Sequence, residues 1–177
     1  IIYQRHSKSI FEICIMNSAH IKIHSKKEMK QFAISVAKKI IVPNIITLDG
    51  ELGTGKTFWV KQFTTYFQDK KNPIMVQSPT YSYLNMYPTE PKIYHFDFYR
   101  LESLEQFYSL GLSEFIGSGL SVIEWHKKIP DLFFTEYLSI FIQSDTSKNF
   151  QYRNIFVQGF GRCEKIVQAI ANEFSKL

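Results

Sequence analysis

Eight consecutive residues carry the clearest chemical signal in this sequence. The segment from Gly50 to Thr57 matches the pattern G-x-x-x-x-G-K-T, in which a glycine-rich loop leads into a helix. Glycines let backbone N–H groups turn inward around phosphates at a helix N-terminus, where the helix dipole also favours anions. Lys56 would reach the β- and γ-phosphates, and the Thr57 hydroxyl would be a ligand for Mg²⁺. The predicted cofactor-binding residues are Gly50, Glu51, Leu52, Gly53, Thr54, Gly55, Lys56 and Thr57.

A phosphate-binding loop also needs a carboxylate for the metal ion and a group that orients water, and two acids follow predicted strands. Asp97 ends the run 93–96, and Glu124 ends the run 120–123. Either acid could instead cap a helix or form a salt bridge, and position alone leaves these roles open. His95 is predicted to be a core or hydrogen-bonded residue rather than a catalyst.

Two features that the sequence lacks limit which nucleotide and which reaction are expected. No Asn-Lys-x-Asp arrangement occurs, which argues against GTP and makes ATP the expected nucleotide. A small-molecule kinase usually needs cationic groups that clamp the transferred phosphoryl group. Arg100 is the only arginine between Arg5 and Arg153, which weakens this alternative without removing it. A nucleotide-gated binding module with negligible hydrolysis alone is a second alternative.

The elements that must position these residues follow from capping and periodicity. Residues 25–28 form a capping box, and the apolar spacing after it predicts a helix to about Ile41, ended by Pro43. The β-branched run 45–48 predicts a buried strand that leads directly into the glycine loop. A helix is predicted to begin near Gly55. The residues that it carries towards the sheet are Phe58, Val60, Phe63 and Phe67.

The rest of the chain continues to alternate between strands and helices. Two aromatic-rich segments flank the loop 88–91, which contains two prolines, and they predict a hairpin. A helix start at Ser103 predicts a short helix that ends at Gly111. The predicted strands are Tyr81 to Tyr87, Lys92 to Phe98, Leu120 to Trp125, Tyr137 to Gln143 and Ile155 to Gln158, and a closing helix runs from Arg162 to Phe174.

This order of elements predicts an α/β protein with a P-loop NTPase-like fold, in which helices flank a central mixed sheet of parallel and antiparallel strands. With 177 residues, 45% of them hydrophobic, the chain is long enough for one domain, which we place at residues 16–177. Residues 1–15 precede the first clear pattern. We interpret them as an N-terminal tail, with the hypothesis that they do not belong to the native protein.

Charge, cysteine content and hydropathy indicate the setting. The formal charge of +5 comes from 17 Lys and 4 Arg against 16 acids, and it favours anionic partners, although a solvated basic face would give the same charge. Cys14 and Cys163 lie far apart without a C-x-x-C pair, which fits a reducing compartment, so a cytoplasmic location is expected. The sequence contains no run of about 18 apolar residues, so it does not predict a membrane-spanning helix.

Four further motifs accompany the glycine loop in a fixed order. They are Ser78-Pro79-Thr80-Tyr81, His95-Phe96-Asp97-Phe98-Tyr99-Arg100-Leu101, Leu110-Gly111-Leu112 and Ile123-Glu124-Trp125. Together they resemble the bacterial TsaE family over about residues 25–130. The chain departs from the family pattern at Glu51, where Asp is usual, and at His126-Lys127-Lys128, where Pro is usual.

The resemblance implies a function as well as a fold. The family is the ATPase component of the machinery that makes threonylcarbamoyladenosine in tRNA, at the adenosine beside the anticodon, and it works with the TsaB and TsaD proteins. Carried over to this sequence, Thr57 and Glu124 hold Mg²⁺, Asp97 serves hydrolysis by positioning water, and Thr80 lies in a switch-like loop near the γ-phosphate. Lys56, Thr80 and Asp97 are thus the expected catalytic residues. Trp125 is either a neighbour of the metal ligand or a packing residue.

Overall fold

Seven strands form one sheet within residues 17–42, 44–145 and 152–174, the part of the chain that the computed structural model describes. The strands are β1 (Ser18–Ile23), β2 (Asn44–Asp49), β3 (Leu84–Tyr87), β4 (Ile93–Asp97), β5 (Leu120–Glu124), β6 (Tyr137–Ser144) and β7 (Arg153–Phe160). The helices are α1 (Lys26–Lys39), α2 (Lys56–Phe67), α3 (Leu104–Ser109) and α4 (Glu164–Phe174). The predicted tail at residues 1–15 and Pro43 lie outside the described residues, whereas the end of α1 is described and falls at Lys39, two residues before the predicted Ile41.

Parallel pairing in the middle of the sheet decides where the candidate site lies. The spatial order is β1-β7-β6-β2-β5-β4-β3. Strands β6, β2, β5 and β4 run parallel to one another, whereas β7, β1 and β3 are antiparallel to their neighbours, so the predicted mixed sheet is confirmed. Because parallel strands end at the same edge of a sheet, Asp49, Asp97 and Glu124 meet there, and Asp97 lies directly opposite Glu124.

The capping signals place the two helix starts that the sequence predicted. The Ser25 hydroxyl accepts a hydrogen bond from the Glu28 N–H at 3.1 Å, and α1 begins at the next residue. Ser103 caps α3 in the same way, with its hydroxyl accepting from the Gln106 N–H at 3.2 Å. Gly111 follows α3 with φ +68°, a left-handed conformation that suits glycine at the end of a helix.

Helices α1, α2 and α4 cover one face of the sheet and form the larger core. Helix α2 contributes the most aromatic surface, which dominates the energy of burial in such a core. Val60 and Phe63 are fully buried, and Phe58 and Phe67 are partly buried against the same core, as predicted. Trp59 is also fully buried, although the sequence pattern did not single it out. None of the described helices has the length and apolar character needed to cross a membrane.

Several predicted boundaries were wrong, each for a local reason. Residues 81–83 are not part of β3, because the Tyr83 N–H turns back to the Pro79 carbonyl at 2.6 Å. Trp125 does not extend β5, because its φ is +63°. Helix α4 begins at Glu164 rather than Arg162, after a 3₁₀ turn. Strand β1 was not predicted at all, although its residues alternate between exposed and buried at the edge of the sheet.

Gly50 joins the sheet to the glycine loop at a point without space for a side chain. Its φ is +142°, and a Cβ atom added to it would lie 2.2 Å from the backbone carbonyl oxygen of Ile142 in β6. A backbone atom in a sheet cannot move aside as a flexible side chain can. Gly53 provides a contrast, because its φ is +79° but a Cβ there would meet nothing within 4 Å.

Gly50→Ala is therefore expected to reduce the free energy of unfolding by roughly 2–4 kcal/mol, since it adds a backbone clash to left-handed strain. Gly53→Ala, the matched control, adds only the strain and should cost about 1–2 kcal/mol. Urea unfolding followed by circular dichroism measures both. Equal losses in the two variants would contradict the role assigned to the Ile142 carbonyl.

Candidate active site

The glycine loop between β2 and α2 places a helix N-terminus at the edge where the parallel strands end. Gly55 is the N-cap of α2, with φ +104°, and Lys56 is the first helical residue. The first N–H groups of any helix lack intrahelical acceptors and attract anions, an effect that the helix dipole reinforces. The Thr54 hydroxyl donates to the Glu51 carbonyl at 2.9 Å, and Arg153 Nε donates to the Thr54 carbonyl at 2.8 Å, so both contacts hold the loop.

Lys56 is a buried cation at the centre of this site. Its Nζ donates to the carbonyl oxygens of Gly50 at 2.8 Å and Glu51 at 3.0 Å, and it lies 3.8 Å from the centroid of the Trp125 ring. Burial lowers the pKa of Lys56, while the charges of Glu124, Asp97 and Asp49 act in the opposite direction. These contacts keep the ammonium group at the loop, where it can serve a phosphate.

Thr57 and Glu124 form the oxygen pair that the sequence analysis assigned to the metal ion. The Thr57 hydroxyl donates to Glu124 Oε1 at 2.9 Å. His95 Nε2 lies 2.9 Å from the same oxygen, and His95 Nδ1 lies 3.1 Å from the Tyr87 hydroxyl. His95 is fully buried, so its prediction as a hydrogen-bonded core residue is confirmed. Its position fixes the Glu124 carboxylate from behind.

The oxygens of this pair fit the chemistry of magnesium. Mg²⁺ prefers oxygen ligands, and proteins commonly hold it through one or two carboxylates together with substrate phosphates. A threonine hydroxyl at the start of the helix and one strand-end carboxylate are the usual protein contribution in a phosphate-binding loop. Thr57 and Glu124, which are already within hydrogen-bond distance of each other, would supply that contribution here.

Asp97 binds the loop that was predicted to act as a switch. Its Oδ2 accepts hydrogen bonds from the hydroxyls of Ser78 and Thr80, each at 2.7 Å, and its Oδ1 accepts from the Tyr99 N–H at 3.0 Å. The Ser78 and Thr80 hydroxyls lie 2.8 Å apart. The carboxylate is buried. The segment before β3 is therefore held at the candidate site by one acid.

These groups line a single open cavity of about 430 Å³, a size typical of ligand sites. The predicted site residues that line it are Leu52, Gly53, Gly55, Lys56, Thr57, Thr80, Asp97 and Glu124. The remaining predicted residues of the loop do not line it. Thr54 is buried, Gly50 packs against β6, and Glu51 contributes its carbonyl to the hydrogen bonds of Thr54 and Lys56.

Trp125 combines the two roles that the sequence left open. It follows Glu124 directly, lines the cavity, and contacts Lys56 with its ring, while its backbone N–H donates to the Leu48 carbonyl at 3.0 Å. Its ring also packs against Tyr99 at a centroid distance of 5.0 Å. A left-handed φ at a tryptophan costs conformational energy, and such strain is concentrated at functional sites.

Asp49, the last residue of β2, lies at the candidate site but was not among the predicted site residues. It is 4% exposed, and its Oδ1 accepts a hydrogen bond from the Lys127 N–H at 3.2 Å. Burial raises the pKa of Asp49, and this effect outweighs the opposing influence of the Lys127 N–H and of the His126, Lys127 and Lys56 charges. Its position at the end of a predicted buried strand could have identified it, because Asp97 and Glu124 were predicted from the same kind of position.

Comparison with known proteins gives a consistent result. The sequence model described as Threonylcarbamoyl adenosine biosynthesis protein TsaE matches residues 23–155. The tRNA threonylcarbamoyladenosine biosynthesis protein TsaE of Rickettsia bellii is 39% identical over 127 residues, which cover 71% of this chain and 86% of that protein. The protein of the same name from Aquifex aeolicus is 34% identical over 107 residues, or 60% of this chain and 75% of the relative.

A solved structure supports the same fold. The crystal structure of Bacillus subtilis YdiB superposes with a TM-score of 0.66 at 25% sequence identity, and the match covers 90% of this chain and 95% of that one. Together with the seven-stranded mixed sheet, this likeness confirms the predicted α/β, P-loop-like fold class.

The raised pKa of Asp49 leads to a prediction about stability and pH. A carboxyl with a higher pKa in the folded than in the unfolded state favours folding while it is protonated, and this contribution disappears as the pH rises through the raised value. Asp49→Asn keeps an acceptor for the Lys127 N–H but cannot ionise. Its free energy of unfolding relative to wild type should therefore increase with pH, by up to about 1.4 kcal/mol for each unit by which the pKa is raised.

Urea unfolding at a series of pH values, from below the ordinary Asp value of about 3.9 upwards, measures this difference. Asp131→Asn is the control, because Asp131 is exposed. A stability difference that does not depend on pH for Asp49→Asn would show that the ionised carboxylate is accommodated without cost.

Proposed function

The chain belongs to the TsaE family, and from this premise we propose that it is a Mg²⁺-dependent ATPase that supports threonylcarbamoyladenosine modification of tRNA. The observation that carries the proposal is the convergence of Lys56, the Thr57–Glu124 pair and Asp97 on one cavity at a helix N-terminus. TsaB and TsaD are the proposed partners, tRNA is the proposed target of the assembly, and the cytoplasm is the proposed location.

Binding of the triphosphate follows from charge and geometry. The loop and the first turn of α2 supply backbone N–H donors, and Lys56 adds a cation beside them. Thr57 and Glu124 would hold Mg²⁺, and the ion would offset the negative charge that develops on the phosphates during hydrolysis. Trp125 restricts the Lys56 ammonium to the loop side of the cavity, since its ring lies 3.8 Å from Nζ.

Asp97 is the proposed group that positions the attacking water. It lies opposite Glu124 across the β4–β5 pairing, so a water held by its carboxylate would stand beside the metal ligand and the phosphates. Water adds to the γ-phosphorus as the bond to the β,γ-bridging oxygen breaks, and ADP and phosphate are released. A buried carboxylate suits this task, because few solvent molecules compete for its lone pairs.

The hydrogen bonds of Asp97 also suggest how hydrolysis is coupled to partners. Its two oxygens already accept three hydrogen bonds, from Ser78, Thr80 and the Tyr99 N–H. A carboxylate offers about four acceptor sites, so Oδ2 is fully used, and a shift of the Ser78–Thr80 segment would free it for the attacking water. We therefore propose that turnover is slow in the isolated protein and rises when a partner moves this segment.

The hydrogen bonds between Asp97 and the Ser78–Thr80 segment are also compatible with an alternative function, that of a nucleotide-gated binding module. In that case the state of the bound nucleotide would set the position of the Ser78–Thr80 segment, and partner contact would follow from that position without significant hydrolysis. Partner-dependent ADP release separates the two functions, because only the ATPase produces it.

Lys56→Ala should weaken ATP binding on the order of 100-fold, since it removes the cation that contacts the phosphates. Isothermal titration calorimetry with ATP and Mg²⁺ measures the change. Lys61→Ala is the control, because Lys61 is exposed on the same helix. Unchanged affinity in Lys56→Ala would refute the assignment of the loop as a triphosphate site.

Asp97→Asn should retain ATP binding but lose at least about 100-fold in turnover, since the amide is a poor acceptor for the proton of an attacking water. The measurement is ADP release and threonylcarbamoyladenosine formation in a mixture of this protein with TsaB, TsaD, tRNA, ATP and an activated threonylcarbamoyl donor. If the variant supported modification and ATP consumption at the wild-type rate, water positioning by Asp97 would be excluded. If wild-type protein supported modification without ADP release, the gated binding module would replace the ATPase.

A further inference from the structure

Strands β1, β7 and β6 present one surface that helices α1, α2 and α4 do not cover. Alternate residues of these strands point to the opposite side from Ile21, Ile140 and Ile155, which are buried under the helices. Within the part of the chain that the structure describes, α3 and its neighbours pack over β4 and β5 instead. We call this surface the aromatic face, and its principal residues are His20, Lys127, Tyr137, Phe141, Phe156 and Phe160.

The rings of the aromatic face form two pairs, each stacked face to face, and we call these pairs the platforms. The first contains His20 stacked on Phe156, with centroids 4.6 Å apart and planes 3° apart, and Phe141 lies 6.2 Å from Phe156. The second is Tyr137 stacked on Phe160 at 4.3 Å and 9°. Phe156 is 42% exposed, which is high for a phenylalanine in the middle of a strand.

The electrostatic character of the face is cationic. Lys127 Nζ lies 4.8 Å above the Phe141 ring, and Lys22 is exposed on the same side of β1 as His20. The described strand positions on this side of β1, β7 and β6 are otherwise Ser, Asn, Gln and aromatic residues, with no acid among them. Among the described residues, three carboxylates lie near this face: Asp49 is buried, Glu136 is paired with Arg162 at 2.6 Å, and Asp145 follows the last residue of β6.

We propose that the aromatic face binds single-stranded RNA, with unpaired bases stacked against the outward ring faces of the two platforms and phosphates held by Lys22 and Lys127. Stacking of a base on an aromatic side chain contributes about 1–3 kcal/mol and tolerates any base, because every base has a π face. Cations beside exposed rings are complementary to a strand that carries a phosphate at each base. The amide side chains between the platforms, such as Gln158, add donors and acceptors for base edges.

The spacing of the platforms indicates a strand rather than a mononucleotide. Phe156 and Phe160 are four residues apart on β7, which corresponds to about 14 Å along an extended strand. One nucleotide cannot stack on both platforms at once. A duplex is excluded as the preferred ligand, because its bases are stacked on each other and cannot reach the rings.

Fluorescence anisotropy of the full chain, without nucleotide, tests the inference with two probes. One is a fluorescein-labelled single-stranded RNA of 12 nucleotides, about the length that one such surface binds, and the other is the same RNA annealed to its complement. Wild type should bind the single strand at least about fivefold more tightly than the duplex. Phe156→Leu, which keeps an apolar side chain but removes the ring, should weaken single-strand binding about tenfold. Phe156→Tyr, which keeps a ring, should bind the single strand as tightly as wild type.

Matched variants separate stacking from general charge and from folding. Tyr108→Leu removes a ring that is 56% exposed on α3, and Lys61→Ala removes an exposed cation on α2; neither should alter RNA binding. Lys127→Ala should reduce the slope of the logarithm of affinity against the logarithm of salt concentration by about 0.7.

Equal affinity for the two probes, no binding, or an unchanged affinity in Phe156→Leu would overturn the proposal. Loss of TsaB or TsaD capture in Phe156→Leu without RNA binding in wild type would assign the face to a protein partner and would equally overturn it. Because no ATP is present, this inference and the proposed ATPase can fail independently.

Discussion

The hydrogen bond between Thr57 and Glu124 is the contact on which the arrangement of the candidate site depends. It joins the first turn of α2 to the end of β5, and the same Glu124 oxygen is approached by His95 from β4. The parallel course of β2, β5 and β4 makes this possible, because it brings three strand ends to one edge of the sheet. A sheet with the same strands in antiparallel order would separate these side chains by a strand length.

Burial strengthens the electrostatic interactions between the charged groups of the candidate site. Lys56, Asp97, Asp49 and Glu124 are each 5% exposed or less, so their charges interact through a medium of lower dielectric constant than water. The three acids stabilise the buried cation, but they also outnumber it. A site with an excess of acids suits a triphosphate that carries Mg²⁺ better than a triphosphate without the metal ion. The charge balance, like the loop, is thus compatible with the proposed ligand, a metal-bound triphosphate.

Local signals predicted most of the fold, and long-range contacts account for what was missed. Short sequence patterns were enough to predict the glycine loop, the helix caps at Ser25 and Ser103 and the acids at the strand ends. Each of these features depends on residues that are neighbours in the sequence. The role of His95 depends on Glu124, 29 residues away, and the left-handed φ of Trp125 depends on its ring and its N–H being held by Lys56 and by β2. Strand β1 was missed because it lies at an edge of the sheet and pairs with β7, which is near the other end of the chain.

The turn at residues 125–128 joins the phosphate site to the aromatic face. Its first residue contacts Lys56, and the Lys127 N–H binds the carboxylate of Asp49 at the end of β2, while the Lys127 side chain lies over Phe141 on the opposite side of the sheet. The backbone of this turn is held by three hydrogen bonds, in which the Trp125 N–H donates to the Leu48 carbonyl, the Lys127 N–H to Asp49 and the Lys128 N–H to the Trp125 carbonyl. The strained conformation of Trp125 is maintained by these bonds and by the packing of its ring on Lys56 and Tyr99. The positions of Lys56 at the candidate site and of Lys127 on the aromatic face therefore depend on the same turn.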